Sequence, residues 1–262
     1  PDEHVHFYKA SSIANGLFFC LDPNKDTLIQ AKYFQLMNDV GKYRLTQNPS
    51  SKFYYKEYIK QPFDNENGRS IVQEKTSALC GFSPIAYIPQ SVGLFLANAA
   101  SLNGIYSFYV GRLFALVTFL LALLLILIAI KPNGRIVFLA TASIPMLLHQ
   151  VGSYSYDSVH ITACLILGAL AFSIIESTKV SLRFLFATII LSIICVLTKG
   201  QSYIFFLFIP FLAINKVYNS SRFFRVFKYV LVALILLVSV MWALLVVNSQ
   251  LKSFSTTFTP SD

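Results

Sequence analysis

The sequence predicts an all-α polytopic membrane protein with a polar first segment that lies outside the bilayer. Hydrophobic residues make up 55% of the 262 residues, and the mean hydropathy is +0.61. The apolar residues form long blocks, and no charged residue separates Arg112 from Lys131. At ~1.5 Å per residue, a helix of that length crosses the ~30 Å hydrocarbon core of a bilayer. Apolar content and distribution together exclude an ordinary soluble domain.

The basic residues are distributed as in a membrane protein. The formal net charge is +9, a value that would also suit a nucleic-acid-binding protein. Residues 1–82 are nearly balanced, with ten Lys or Arg and nine Asp or Glu, whereas the rest of the chain has eleven basic and three acidic residues. Those basic residues lie mostly between apolar blocks, where they set membrane orientation. We therefore expect the lipid bilayer as a partner, and no nucleic acid.

Residues 1–82 form the predicted extracytoplasmic loop or domain, of mixed structure. A helix is expected from Pro1, because proline suits the first helical turn and the two acids that follow suit its positive end. Gly16 is expected to end that helix. A second helix is predicted over residues 27–40.

The remainder of the chain is predicted to associate with the membrane throughout. Residues 83–103 are moderately apolar but contain prolines and asparagines, which favours an interfacial or re-entrant helix. Six transmembrane helices are expected within residues 104–249, and residues 250–262 begin an outer loop. The candidate spans are 106–130, 136–151, 158–176, 182–198, 202–214 and 229–247. Several are short, which indicates tilted, broken or re-entrant helices.

Basic and base-poor connectors alternate along these spans. The basic connectors lie near residues 131–135, 179–183 and 216–228, and the positive-inside rule places them in the cytoplasm. Five tyrosines then fall at the outer interface, where an aromatic belt is expected. They are Tyr106, Tyr109, Tyr154, Tyr156 and Tyr203. Provided that residues 83–103 do not cross the membrane, residues 1–82 face outward.

With this orientation, the ionisable residues of interest converge at the outer level of the membrane. They are Asp2, Glu3, His4 and His6 in the first segment, and Arg112, His149, Asp157, His160 and Lys199 near the outer ends of spans. Ionisable groups near the bilayer are costly and are therefore candidates for function. Structural explanations stay open as well. They are snorkelling for the two basic residues, a helix N-cap for Asp157, and simple hydrogen bonding for the histidines of the spans.

Metal binding is a weaker prediction. Glu3 and His6 are three residues apart, a spacing used by metal ligands on helices, and Asp157, His149 or His160 could complete a shell. No second matched motif accompanies this pair. The sequence therefore indicates no cofactor with certainty and leaves a divalent cation open.

The four cysteines divide into two pairs. Cys20 and Cys80 share the first segment, where an oxidising exterior permits a disulfide. Cys164 and Cys195 lie within spans, where small buried thiols are common.

Five short motifs occur in an order that resembles a known family. They are PDEHVHF at 1–7, SPIAYIPQ at 83–90, GRL at 111–113, Pro145 with Gln150, and SYSYD at 153–157. On these motifs, the chain resembles the bacterial predicted-membrane-protein family, a domain of unknown function grouped with GT-C glycosyltransferases. The resemblance covers nearly the whole chain. It implies a GT-C-like helical bundle, with a first transmembrane helix before Pro1 and further spans after Asp262.

The resemblance also implies an activity. GT-C enzymes take a sugar from a polyprenyl-phosphate carrier at the outer face of the membrane, and their first outer loop carries an acidic motif, here Asp2 and Glu3. We therefore expect an inverting glycosyltransferase in the bacterial plasma (inner) membrane. Its partners would be a polyprenyl-phosphate-linked sugar and a cell-envelope glycan or lipid-linked acceptor.

Each candidate residue has a role in this hypothesis. Asp2 is the first candidate to accept the proton of the acceptor hydroxyl, Glu3 the second and Asp157 the third. Arg112 and Lys199 stabilise the departing lipid phosphate. Supporting roles fall to the histidines, which are His4, His6, His149 and His160. The alternative is a transporter, flippase or assembly factor for lipid-linked sugars, which would hold the phosphate without needing a base.

Overall fold

The computed structural model describes residues 3–18, 27–37, 71–74, 83–199 and 209–216, together with isolated positions between 226 and 241. These residues are mostly helical. They belong to two compact units, Pro1–Val117 with Gly152–Ser155, and Thr118–Val151 with Tyr156–Asp262. Several predictions fall outside the described residues. They concern Asp2, the Cys20–Cys80 disulfide, and most of the fifth and sixth spans.

The first unit begins with helix α1, Glu3–Ala14. Its end at Gly16 confirms the prediction. Gly16 has a φ of +90°, and the backbone N–H groups of Gly16 and Leu17 donate to the carbonyls of Ile13 and Ser12 at 2.9 and 3.0 Å. This Schellman ending requires a left-handed φ that glycine adopts without steric cost.

A short antiparallel sheet follows α1 in the first unit. Strand β1, Thr27–Gln30, pairs with strand β2, Ile71–Glu74, in a register that places Thr27 opposite Glu74. The prediction of a helix from residue 27 was therefore wrong for its first four residues, since helix α2 covers Ala31–Met37. Strand formation here depends on a partner far along the chain, which local propensity does not encode.

A 3₁₀ turn, Pro84–Tyr87, leads into helix α3, Ile88–Ala99. Each has a proline within its first two positions, where the missing N–H would have no helical partner in any case. Helix α3 packs against α1. The turn after it contacts α2, because Lys32 Nζ donates to the carbonyl of Leu102 at 3.0 Å.

Helix α4, Gly104–Ala129, approaches α3 closely at two glycines. A Cβ atom on Gly93 would lie only 2.8 Å from the Cα of Gly111. Small residues allow helix backbones to come this near. A Cβ atom on Gly111 would overlap the hydroxyl of Tyr154. Gly111 therefore also makes room for that ring.

An aromatic cluster of Phe7, Tyr33, Phe108 and Tyr154 forms the centre of the first unit. The Phe7 ring lies 5.1, 5.2 and 4.8 Å from the centroids of Tyr33, Phe108 and Tyr154. Edge-to-face pairs of this kind contribute ~0.5–1.5 kcal/mol each beyond the area they bury. Burial raises the pKa of Tyr33 to about 12 and holds the pKa of Tyr154 well above its ordinary value. Both phenols therefore stay neutral and act as packing and hydrogen-bonding groups.

Within the described residues, the second unit contains the rest of α4, five further helices and the isolated helical positions between 226 and 241. The five helices are α5 Pro132–Ala142, α6 Pro145–Val151, α7 Asp157–Glu176, α8 Leu182–Thr198 and α9 Ile209–Lys216. Helix α5 ends before Pro145, because the residue preceding proline avoids the helical conformation. The helical stretches Gly134–Ala142 and Pro145–Val151 are bent by 69°. The region of the second predicted span, 136–151, therefore consists of two helices with a bend between them.

Helices α7, α8 and α9 pack together around Ile174, Leu185 and Ala213. Lys216 Nζ donates to the carbonyls of Ile174 and Ile175 at 2.6 and 2.9 Å. A cation at this position complements the negative end of α7. At the same end, Glu176 Oε2 lies 3.4 Å from Lys131 Nζ.

Two described helices are long and apolar enough to cross a membrane, α4 and α7, and the bent pair adds a third if it forms one span. Helix α8 has the bounds of the fourth predicted span and is apolar, but it has only 17 residues. The part of the chain that the structure describes thus contains two or three candidate spans. The total of six remains a prediction.

We expect Gly111→Ala to destabilise the protein, whereas the control Gly168→Ala is tolerated. The new methyl group at position 111 would overlap the Tyr154 hydroxyl, but at position 168 the nearest atom, on Phe138, is 3.8 Å away. Overpacking of a filled interior typically costs ~1–3 kcal/mol. Thermal unfolding of the purified variants in detergent measures the difference. Equal midpoints for both variants would contradict the close fit at Gly111.

Candidate functional site

The first polar cluster, Glu3 with Arg112, lies within the first unit. Glu3 Oε1 accepts a hydrogen bond from the backbone N–H of Tyr154 at 2.9 Å and lies 3.7 Å from Arg112 Nε. The same Nε donates to the carbonyl of Gly152 at 2.6 Å. Helix α1, helix α4 and the segment 152–155 therefore each contribute one part of this cluster.

Aromatic packing fixes the geometry of the Glu3–Arg112 cluster. Phe7 lies one helical turn after Glu3 and contacts the Tyr154 ring. The Tyr154 hydroxyl donates to the carbonyl of Phe108 at 3.1 Å. The guanidinium carbon of Arg112 lies 5.5 Å from the centroid of the Phe108 ring, within the range of a cation–π contact. The carboxylate and the guanidinium are thus placed by a rigid aromatic core.

The Glu3–Arg112 cluster retains hydrogen-bonding capacity. Within the described residues, neither the terminal nitrogens of Arg112 nor Oε2 of Glu3 has a hydrogen-bond partner. The two side chains are 27% and 39% exposed. A guanidinium with both terminal nitrogens available can bind two oxygens of a phosphate.

The second polar cluster, Asp157 with Lys199, lies within the second unit. Lys199 Nζ donates to Asp157 Oδ1 at 2.8 Å and lies 5.3 Å from the centroid of the Tyr156 ring. Asp157 is the first residue of α7, one position beyond the N-cap that the sequence suggested. Because Lys199 and Arg112 both bond to protein groups, each has a defined position that snorkelling alone would not give.

The four candidate histidines have different surroundings. His6 Nδ1 lies 2.7 Å from the Tyr87 hydroxyl, and His160 Nδ1 lies 2.9 Å from the Thr198 hydroxyl. His4 contacts the edge of a neighbouring tyrosine ring, and His149 is exposed in the last turn of α6. Within the described residues, no group of three or more His, Cys, Asp or Glu side chains could hold a metal ion. A divalent cation therefore gains no support from this geometry.

Tyr154 is the site residue that sequence reasoning missed. The sequence assigned it to an aromatic belt at the outer interface and gave it no part in the site, but its side chain is 1% exposed and its backbone N–H orients Glu3. Its position within the SYSYD motif was the available signal. Gly152 was also missed, since a backbone carbonyl that accepts from an arginine leaves no trace in the sequence.

The family described as "Predicted membrane protein (DUF2142)" matches residues 1–259. The chain belongs to this family. No curated protein and no solved structure matches the chain. Family membership and the two or three apolar helices agree that this is a membrane protein.

Lys9 is a buried basic residue of α1, the helix that carries Glu3 and Phe7. Its side chain is 3% exposed, and burial lowers its pKa from the ordinary 10.5 because the charged form loses its hydration. Within the described residues, no carboxylate lies at ion-pair distance from it. Lys32 differs, since it donates to a carbonyl and lies 4.9 Å from the Tyr33 ring centroid.

We expect Lys9→Met to stabilise the protein at neutral pH and the control Lys32→Met to destabilise it. Because the folded state lowers the pKa of Lys9, burial of the charged ammonium group destabilises the folded protein. This loss of stability is fully present below the pKa of the folded state and disappears above the pKa of the unfolded state. Lys9→Met should therefore raise the free energy of unfolding by ~1–3 kcal/mol near pH 7. This gain should shrink as the pH approaches ~10.4, the pKa of an unperturbed lysine. Thermal unfolding at several pH values measures it. A lower midpoint for Lys9→Met at pH 7 would mean that the ammonium group is stabilising.

Proposed function

We propose that the chain is an inverting glycosyltransferase that takes a sugar from a polyprenyl phosphate and transfers it to a cell-envelope glycan or lipid-linked acceptor. The observation that carries this proposal is the Glu3–Arg112 cluster. It presents a positioned guanidinium with available donors beside a carboxylate with an available oxygen. An anion-binding group and a proton acceptor are the two functions that such a transfer needs. The choice of a GT-C type of reaction rests on the family resemblance.

Arg112 would bind the phosphate of the donor. Its Nε is held by the Gly152 carbonyl at 2.6 Å, which leaves the terminal nitrogens for the ligand. A guanidinium fixed at one nitrogen loses little further conformational freedom on binding, and it offers two parallel N–H donors to phosphate oxygens. Phosphate carries more negative charge after the sugar departs, so this contact strengthens as the reaction proceeds.

Glu3 would accept the proton of the acceptor hydroxyl. Its Oε1 is occupied by the Tyr154 N–H, which orients the carboxylate and leaves Oε2 for the substrate. Asp2, the adjacent acid, lies outside the described residues and stays a predicted alternative base. Asp157 is a weaker candidate, because its Oδ1 already accepts from Lys199 at 2.8 Å.

In the proposed step, the acceptor oxygen attacks the anomeric carbon of the donor sugar. The new glycosidic bond forms as the bond between that carbon and the phosphate oxygen breaks, and the polyprenyl phosphate leaves with the bonding electrons. The hydroxyl proton moves to the Glu3 carboxylate and then to solvent. Attack from the face opposite the phosphate inverts the anomeric configuration.

The proposal places the Glu3–Arg112 cluster on the outer face of the bacterial inner membrane, where the donor headgroup and the envelope acceptor would meet. The alternation of basic connectors supports this orientation. Lys199 stays a predicted second residue for the donor phosphate. A transporter or flippase would use Arg112 in the same way but would not need Glu3 as a base.

Two matched pairs of variants test the proposed roles. Glu3→Gln should lower sugar transfer ~100- to 10,000-fold, the usual contribution of a general base, while donor binding stays within a few fold. Arg112→Gln should weaken donor binding. The controls are Glu176→Gln and Arg135→Gln. Glu176, like Glu3, pairs with a basic side chain, here Lys131, and Arg135 Nε, like that of Arg112, donates to a backbone carbonyl, that of Ile130 at 3.0 Å.

The assay uses purified full-length variants with a polyprenyl-phosphate sugar in detergent, and it measures binding and transfer separately. Donor binding without any transfer by the unchanged protein would favour the transporter. Normal transfer by Glu3→Gln would remove Glu3 as the base and leave Asp2 to be tested. Normal donor binding by Arg112→Gln would contradict the phosphate site.

Orientation is tested by labelling single cysteines in intact cells, in a background whose four native cysteines are changed to serine. We expect an impermeant thiol reagent to label Asn15→Cys, at the exposed end of α1, and not Thr178→Cys, in the basic connector after α7. Opening the cells should allow both to react. The reverse pattern in intact cells would place the Glu3–Arg112 cluster in the cytoplasm.

A further inference from the structure

Two thiols of the second unit lie side by side, one on α7 and one on α8. The sulfur atoms of Cys164 and Cys195 are 3.8 Å apart, and His160 Nε2 is 3.4 Å from the Cys164 sulfur. Cys195 is fully buried, whereas Cys164 is partly exposed. Neither thiol has a part in the proposed glycosyl transfer.

Hydrogen-bond directions around His160 identify a proton acceptor for Cys164. The Thr198 hydroxyl donates to the carbonyl of Cys195 at 3.0 Å, so its oxygen acts as acceptor toward His160 Nδ1, 2.9 Å away. Nδ1 therefore carries the imidazole proton, and Nε2 presents a lone pair. The Cys164 thiol is the donor in the contact with Nε2. Histidine is thus arranged as a base for one thiol of the pair.

We propose that Cys164 and Cys195 are a redox-active thiol pair that forms a reversible disulfide between α7 and α8, with Cys164 as the attacking thiol. Partial exposure makes Cys164 reachable by an oxidant, and His160 Nε2 can accept the proton of its thiol. Cys195, buried behind it, is placed to resolve the mixed disulfide. Closure needs the sulfur atoms to move from 3.8 Å to a bond of ~2.05 Å.

The oxidant in this proposal is a second disulfide, carried by a small molecule or a protein. Cys164 transfers its proton to His160 Nε2, and its sulfur attacks one sulfur of the oxidant, which forms a mixed disulfide and releases one thiol. The sulfur of Cys195 then attacks the Cys164 sulfur, and the second thiol leaves. The two cysteine protons end on the two released thiols. The protein pair is oxidised by two electrons and the oxidant disulfide is reduced.

Dipyridyl disulfide tests the pair, because it is apolar enough to reach a thiol on an apolar helix and its released thione absorbs light. The protein is the full chain in detergent, with Cys20 and Cys80 changed to serine. We expect two equivalents of thione and a Cys164–Cys195 crosslink in unreduced peptides by mass spectrometry. Cys195→Ser should release one equivalent and retain the mixed disulfide. Cys164→Ser should react at least about tenfold more slowly, because its remaining thiol is buried.

Two further variants separate chemistry from folding. His160→Gln should slow the first release at least about tenfold at neutral pH, and raising the pH should restore the rate because the thiolate then forms without the base. The control Cys164→Ser/Ile166→Cys moves the thiol about 200° around α7 and should give no crosslink to Cys195. The proposal is overturned if the unchanged pair forms only mixed disulfides, or if His160→Gln reacts at the original rate with the original pH dependence.

Discussion

The position of Tyr154 is the constraint on which the candidate site depends. Its ring packs against Phe7 and fills the space left by Gly111, and its backbone N–H holds the Glu3 carboxylate. Glu3 and Arg112 come from helices far apart in the chain, and the segment 152–155 binds both of them, through the Tyr154 N–H and the Gly152 carbonyl.

The ion pairs of the two polar clusters differ in a way that matters for ligand binding. Lys199 and Asp157 are 2.8 Å apart, whereas the Glu3–Arg112 distance is 3.7 Å and other protein groups occupy Glu3 Oε1 and Arg112 Nε. A partly exposed pair contributes only ~0–1 kcal/mol. A phosphate that forms two charge-assisted bonds gains more than this. A phosphate can therefore bind Arg112 and weaken the Glu3–Arg112 pair at little cost in stability.

Local signals in the sequence predicted local structure well. The end of α1 at Gly16 and the bounds of α8 follow from glycine conformation and from hydrophobic length, which are properties of short stretches. Long-range pairings did not follow. The strand at Thr27 needs β2 as its partner, and the bond between Tyr154 and Glu3 joins residues 151 positions apart. A hydrophobic pattern can indicate that Tyr154 lies near the membrane surface, but it cannot indicate that its ring packs against Gly111.

The break between α5 and α6 has a consequence for where water reaches this protein. At a bend of 69°, the last carbonyls of one helix and the first amides of the next lack intrahelical partners. The backbone N–H of Ile144 donates to the carbonyl of Thr141 at 3.3 Å, and that of Leu148 donates to the carbonyl of Ile144 at 3.1 Å, which satisfies only part of that need. Unsatisfied backbone groups cost several kcal/mol in hydrocarbon. If the pair forms one span, this point of the bilayer must be solvated by water or covered by protein.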